Sequence, residues 1–308
     1  MIKKNFLFSA FIGLTFIISC GEYENSAPYS DEDIVADDNS DNENNSNSNF
    51  ANIDFSNWKV TLPVDVNNNG SPDEYQPASL VDGKYRINLA IKPYMYDDEI
   101  DKSIVFHTFP ATSTTNSSYS RTELRELINP SNSRVNWSLE TGGTMKGKLK
   151  MLEISKDNSS SNREYHNTIF MQIHGIISIS DMTKFGFSSN NGPPLIKMRW
   201  IDGYVWAYKK SLVNESTSGN DLLDVSNDTW VDEKQNMGFV GFNEFEFRIT
   251  ASKGKLVLQL NTEVPLVYQD ISMAKWPFEN YFKAGNYLGT TDAGAFAKVK
   301  YYELTVEH

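Results

Sequence analysis

Between residues 51 and 308 apolar and polar positions alternate in short runs with a period of two, and the three-to-four spacing of amphipathic helices is scarce. "EFEFRITASKGKLVLQLN" (244–261) alternates, breaks at Ser252–Lys255 and alternates again, which predicts a hairpin. "PLIKMRWIDGYVWAYKK" predicts two strands about an Asp202–Gly203 turn, and "AKVKYYELTVEH" predicts one more strand. Clusters of Gly, Asn, Asp and Ser separate these runs, and no internal repeat is present. The pattern predicts an all-β protein, a β-sandwich or jelly roll of two antiparallel sheets.

One stretch resists the simple alternation. "SYSRTELREL" (119–128) reads as a solvated helix with i,i+4 charges, or as a strand with Arg121, Glu123 and Arg125 on one face. A charged row on a sheet is costly and needs a reason. The same period applied elsewhere finds companions. In "TIFMQIHG" (168–175), Ile169, Met171 and Ile173 share one face and Phe170, Gln172 and His174 the other. In "NYFKAGNYLG" (280–289), Phe282, Ala284, Asn286 and Leu288 alternate with Tyr281, Lys283, Gly285 and Tyr287. In "PLIKMRW", Lys197 and Arg199 alternate with Ile196, Met198 and Trp200. Singly, each reads as an ordinary structural histidine, rim aromatic or solvated charge. Together they place cations, amides and aromatics on four strands, a surface suited to an extended acidic sugar polymer.

The chain before residue 51 is different. "MIKKNFLFSAFIGLTFIISC" has Lys3 and Lys4 ahead of an apolar run too short for a comfortable membrane span, the layout of a signal peptide over residues 1–20. The one cysteine of the chain, Cys20, falls at the end of "IISC", which reads as a lipidation signal rather than an ordinary secretory signal with a stray cysteine. Gly21 follows, which favours an exported lipoprotein at the outer membrane or cell surface. With a single cysteine no intrachain disulfide exists. Residues 21–50 contain nine Asp or Glu and no Lys or Arg, with abundant Asn and Ser. Such a segment is predicted to be a disordered tether. It accounts for −9 of the net −12, and Lys3 and Lys4 add +2, leaving −5 for residues 51–308, a single domain. That charge excludes a basic nucleic-acid-binding domain.

Three motifs now carry a resemblance. "RTELR" (121–125), "QIH" (172–174) and "YFKAGNY" (281–287), in that order and with "FSNWKVTLP" (55–63) upstream, make residues 51–308 similar to the alginate lyases of polysaccharide lyase family 7. The resemblance implies a curved jelly roll whose concave sheet cleaves a mannuronate–guluronate polymer by β-elimination. It implies that Arg121 and Gln172 neutralise the uronate carboxylate, and that His174 and Tyr287 serve as base and acid. Tyr287 is expected to be the acid throughout, with the base set by which epimer is bound. Glu123, Arg125, Lys197, Arg199, Tyr281 and Lys283 are expected to bind substrate or support those that do, Glu123 by orienting the arginines. Ile173 in "QIH" implies a preference for guluronate-containing blocks. Gly289 departs from the family's usual Gln. These roles match chemical need: the C5 proton is weakly acidic beside a carboxylate, and each well-aimed donor contributes on the order of 3 kcal/mol.

Other readings are weighed on the same residues. A glycoside hydrolase needs two carboxylates roughly 5–10 Å apart across the bond, and Glu123 and Glu126 have opposite strand parity. A non-catalytic module for acidic polysaccharides does not need Gln-x-His and Tyr together, and a lyase for another polyuronate would share them. No cofactor is expected beyond a structural calcium ion at "DVNNNGSPDE", where Asp65, Asn67, Asn69 and Asp73 have EF-hand-like spacing but Gln76 stands at position twelve. The expected partner is alginate, with no nucleic acid, no membrane contact beyond the Cys20 lipid, and a monomeric protein.

Overall fold

The computed structural model describes residues 50–114 and 117–308. The expected signal peptide, Cys20 and the tether up to residue 49 lie outside the described residues. Phe50, assigned above to the tether, lies 3.9 Å beneath the Arg86 guanidinium.

Sixteen strands are described. They are β1 (Asn52–Ile53), β2 (Trp58–Thr61), β3 (Glu74–Tyr75), β4 (Met95–Asp97), β5 (Ile104–Thr108), β6 (Arg121–Glu126), β7 (Gly143–Ile154) and β8 (Thr168–Ile176). They continue as β9 (Asn191–Ile201), β10 (Tyr204–Leu212), β11 (Trp230–Phe239), β12 (Phe245–Ser252), β13 (Lys255–Leu260), β14 (Leu266–Tyr268), β15 (Glu279–Leu288) and β16 (Ala297–Glu307). One eight-stranded sheet has the order β14-β13-β12-β7-β16-β5-β4, with β1 added parallel to β16. The other runs β11-β10-β9-β8-β15-β6-β2-β3 and is antiparallel throughout. The chain switches sheets repeatedly, as a jelly roll requires.

Local chemistry explains the hairpins. Ile201 pairs with Tyr204 across Asp202 (φ 49°) and Gly203 (φ 84°), the two left-handed positions of a tight hairpin turn. Ser252 pairs with Lys255, so the second predicted hairpin also forms. The inner faces bury Phe106, Leu124, Met171, Ile173, Ile196, Met198, Phe247, Ile249, Phe282 and Leu288 in one core. Asn286 is a polar exception with every group satisfied. Its amide donates to the carbonyls of Phe106 (2.9 Å) and Ala297 (2.7 Å) on the other sheet, and its oxygen accepts from Thr168 (2.7 Å). This ties the sheets together directly beneath the neighbouring Tyr287.

One expected face is corrected. Phe170 lies in the core, edge-on to Phe245 and Phe247, whereas Ile169 faces the cleft described below. Strict alternation fails because the β8–β9 register shifts between Ile169 and Met171, and the β8–β15 register shifts between Ala284 and Tyr287. Gly285 occupies that irregularity with φ 136°, where a Cβ would come within 2.6 Å of the Thr122 carbonyl oxygen. The Tyr301 hydroxyl, from the opposite sheet, accepts from the Gly285 N–H (3.2 Å) and donates to the Phe170 carbonyl.

Candidate active site

The strand reading of "RTELR" holds. Arg121 pairs with Tyr287, Glu123 with Gly285 and Arg125 with Lys283 across β6 and β15. On the far side of β15, Lys283 pairs with Gln172 and Tyr281 with His174. Gln172 in turn pairs with Lys197, and Ile169 with Arg199. Two transverse rows therefore cross the sheet, Arg125–Lys283–Gln172–Lys197 and Arg121–Tyr287–Ile169–Arg199.

A cleft of about 320 Å³ opens on the outer face of the sheet over part of these rows, and Glu123, Arg125, Tyr281 and Lys283, expected to bind substrate or support those that do, are not among its lining residues. Arg121, Gln172, His174 and Tyr287 all border it, with Lys197, Arg199 and Gly289. Glu123, 1% exposed, lies under them. It accepts from the Gln172 amide (2.5 Å), pairs with the Lys283 ammonium, and lies 3.5 Å from Arg121 Nη1. One carboxylate thus fixes two groups that border the cleft, Gln172 and Arg121, together with Lys283. Burial drives the pKa of Lys283 down to about 8 despite Glu123, with Arg121 and Arg125 pushing the same way.

His174 Nδ1 is 2.8 Å from the Gly175 carbonyl. A carbonyl only accepts, so Nδ1 carries the proton and Nε2 keeps its lone pair. Burial, and then the charges of Lys283, Arg121 and Arg125, depress the imidazole pKa to about 3. Tyr281 stacks on the imidazole, and the Arg125 guanidinium lies 4.1 Å over the Tyr281 ring. Arg125 also donates to the Ser133 carbonyl (3.0 Å) and to Asn136 (3.2 Å), so it buttresses the wall. Tyr287 has the Arg121 guanidinium 4.3 Å over its ring and its hydroxyl 2.5 Å from Ser117 Oγ.

Several lining groups lie outside the alternating faces read from the sequence. Lys210 borders the cleft and shares Asp232 with Lys197, at 3.2 and 2.6 Å. Its signal was present, because "YVWAYKK" places Trp206, Tyr208 and Lys210 on one face. Ser117 and Tyr119 come from the turn before β6 and Val225 from the loop before β11, where no periodicity exists to read.

The 65–73 loop closes on itself. Asp65 accepts from the N–H groups of Asn69 (3.0 Å) and Gly70 (2.8 Å), and Asp73 from Val66 N–H (3.1 Å) and the Asn67 amide (2.8 Å). Among the described residues, the metal-capable side chains that converge are Asp157, His166 and Asp292, and Arg163 already pairs with Asp157 at 2.8 Å.

A sheet face whose cations, amide, imidazole and tyrosine meet in one cleft defines a protein that handles acidic polysaccharide. The model of the alginate lyase family matches residues 53–308, and the chain belongs to that family, within polysaccharide lyase family 7. Alginate lyase A1-II′ in complex with the product GGG is 29% identical, with 83% of this chain and 97% of that chain covered and a TM-score of 0.62. The alginate lyase from Klebsiella pneumoniae shares the fold at 19% identity, covering 83% of this chain and 96% of that chain, with a TM-score of 0.62. No curated protein sequence matches the chain.

Proposed function

We propose that the cleft performs β-elimination on alginate with Arg121, Gln172, His174 and Tyr287 in the reacting roles. The observation that carries this reading is their convergence on one cleft with a neutral imidazole among cations. Alginate lyase A1-II′, the similar structure, has been captured with GGG as product and GGMG as substrate.

The step balances without a cofactor. Arg121 and the Gln172 amide hold the uronate carboxylate, so that charge developing at C5 spreads into a neutralised group. His174 Nε2, or the Tyr287 phenolate for the other epimer, takes the C5 proton. The C5–H electron pair forms the C4–C5 double bond, and the C4–O bond breaks toward the leaving oxygen. Tyr287 protonates that oxygen. When Tyr287 is also the base, the proton it removed is the one it returns. Unsaturated uronates absorb in the ultraviolet, whereas hydrolysis products and bound polymer do not. Purified protein with alginate is expected to give a steady absorbance rise, and a flat trace across pH and salt would reject the lyase reading.

The preference for guluronate-containing blocks rests on Ile173. Its side chain is fully buried, so it acts through the placement of Gln172 and His174 on either side. Faster product formation from guluronate-rich than from mannuronate-rich polymer is the expected result. Export as a lipoprotein rests on "IISC" with Cys20 and the acidic segment after it, and membrane fractionation of a Cys20→Ala variant tests it. A structural calcium ion at the 65–73 loop rests on its spacing, and chelation is expected to lower thermal stability without changing the chemistry.

A further inference from the structure

The cations in and around the cleft are not equivalent. Lys197 and Lys210 share Asp232, and Arg121 and Lys283 share Glu123. Arg199 differs: among the described residues no carboxylate lies within ion-pair distance of it. Its Nη1 donates instead to the neutral amide oxygen of Asn167, at 2.6 Å. Its Nε is buried without a hydrogen-bond partner, as is that of Arg121, and both side chains border the cleft. Two buried guanidinium Nε–H groups thus lack a protein partner, one at each end of the row Arg121–Tyr287–Ile169–Arg199.

Gly289 explains how Asn167 reaches that position. The Gly289 N–H donates to the Asn167 carbonyl at 2.7 Å, which holds the two backbones together. A Cβ on residue 289 would lie 2.4 Å from Asn167 Oδ1. A side chain there would have to displace the amide that holds Arg199.

We propose that Asn167 is a positioning residue that presents Arg199, with no carboxylate paired to it, to the carboxylate of a second uronate unit of the polymer whose reacting unit lies at Arg121, and that Gly289 is glycine to leave room for it. A neutral holder matters here. An aspartate at 167 would grip the guanidinium more firmly but satisfy its charge, as Asp232 does for Lys197. The inference rests on the alginate lyase reading and adds Asn167 and Gly289 to it.

The test is a double-mutant cycle on Asn167→Asp and Arg199→Ala, with initial rates on alginate by ultraviolet absorbance. Asn167→Asp is expected to raise KM about tenfold with kcat within about twofold, since only ground-state and transition-state binding alike are lost. In the Arg199→Ala background the same change is expected to move KM by less than about twofold. Gly289→Ala, which displaces the amide without altering either partner, is expected to reproduce the KM rise and serves if Asn167→Asp fails to fold. A wild-type KM in Asn167→Asp or in Gly289→Ala, or an equal KM rise in both backgrounds, overturns the proposal. An inactive wild-type protein would instead reject the lyase reading itself.

Discussion

The imidazole of His174 lies flat on the ring of Tyr281, with centroids 5.2 Å apart and planes 10° from parallel. The stack, with the Gly175 carbonyl on Nδ1, leaves Nε2 as the open nitrogen of a base that does not need to lose a proton first. Nothing about His174 is unusual in isolation; the environment assembled by β6 and β15 makes it so.

The His174 pKa near 3 gives a prediction whose sign is definite. Burial and three neighbouring cations favour the neutral form, so the imidazole stays neutral as pH falls through the ordinary histidine range. Nitrogen-15 NMR of the free protein is expected to show a neutral His174 at pH 5, with Nδ1 protonated. A midpoint near 6.5 would contradict this electrostatic account.

Glu123 is predicted to be indispensable without touching the reacting atoms. Glu123→Ala leaves the buried Lys283 ammonium unpaired and frees Gln172 and Arg121. Removing one partner of such a pair costs roughly 3–5 kcal/mol. Urea unfolding is expected to show a loss of that size, together with a fall in kcat. An unchanged midpoint would mean that Lys283 and Arg121 do not depend on this carboxylate.

Tyr301 is the remote support of the site. Its hydroxyl satisfies the Phe170 carbonyl and the Gly285 N–H at the irregularity that turns Ile169 toward the cleft. Tyr301→Phe leaves both backbone groups unsatisfied, at about 1–3 kcal/mol. Chemical denaturation is expected to register that loss, and a neutral substitution would show that water replaces the hydroxyl.

His308 supplies a stability test with its own pH dependence. Nε2 is 2.7 Å from Glu126 Oε1, and Glu126 also accepts from the Trp137 indole (3.1 Å) and the Phe282 N–H (2.9 Å). Burial lowers the His308 pKa, but the hydrogen bonds to Glu126 and the Gly142 carbonyl and the Glu126 charge outweigh it, and the net shift is upward. The stabilisation is therefore complete below about pH 6.5, the unfolded value, and is lost as pH rises through the raised folded value. His308→Ala is expected to lower stability more at pH 5.5 than at pH 9, by about 1–2 kcal/mol at the acidic end. Equal losses at both pH values would remove the charge from the explanation.

Much of this architecture is legible along the chain. A period of two places Arg121, Glu123 and Arg125 on one face, and Lys283 and Tyr287 on another strand, because β6 and most of β15 are regular. Parity fails at Ile169 and Phe170, where a bulge inserts a residue, and no local signal in "TIFMQ" announces it. Gly285 is the nearest hint, a glycine inside a strand. Glu123 illustrates a different limit. Its position was readable, but that Gln172 and Lys283 also converge on it depends on β8 and β15 being neighbours, and strand order is not written in alternation. Ser117, Asn167 and Gly289 lie at loops and strand ends, where backbone path rather than periodicity decides what meets.

The most direct test of the central claim compares wild type with Arg121→Ala on alginate by ultraviolet absorbance, with thermal unfolding followed in parallel. The Arg121 side chain borders the cleft and its guanidinium is predicted to neutralise the reacting carboxylate. Wild type is expected to generate unsaturated product. The variant is expected to lose at least about 100-fold in kcat, while a cooperative unfolding transition remains. Near-normal turnover by a folded Arg121→Ala protein would contradict the account.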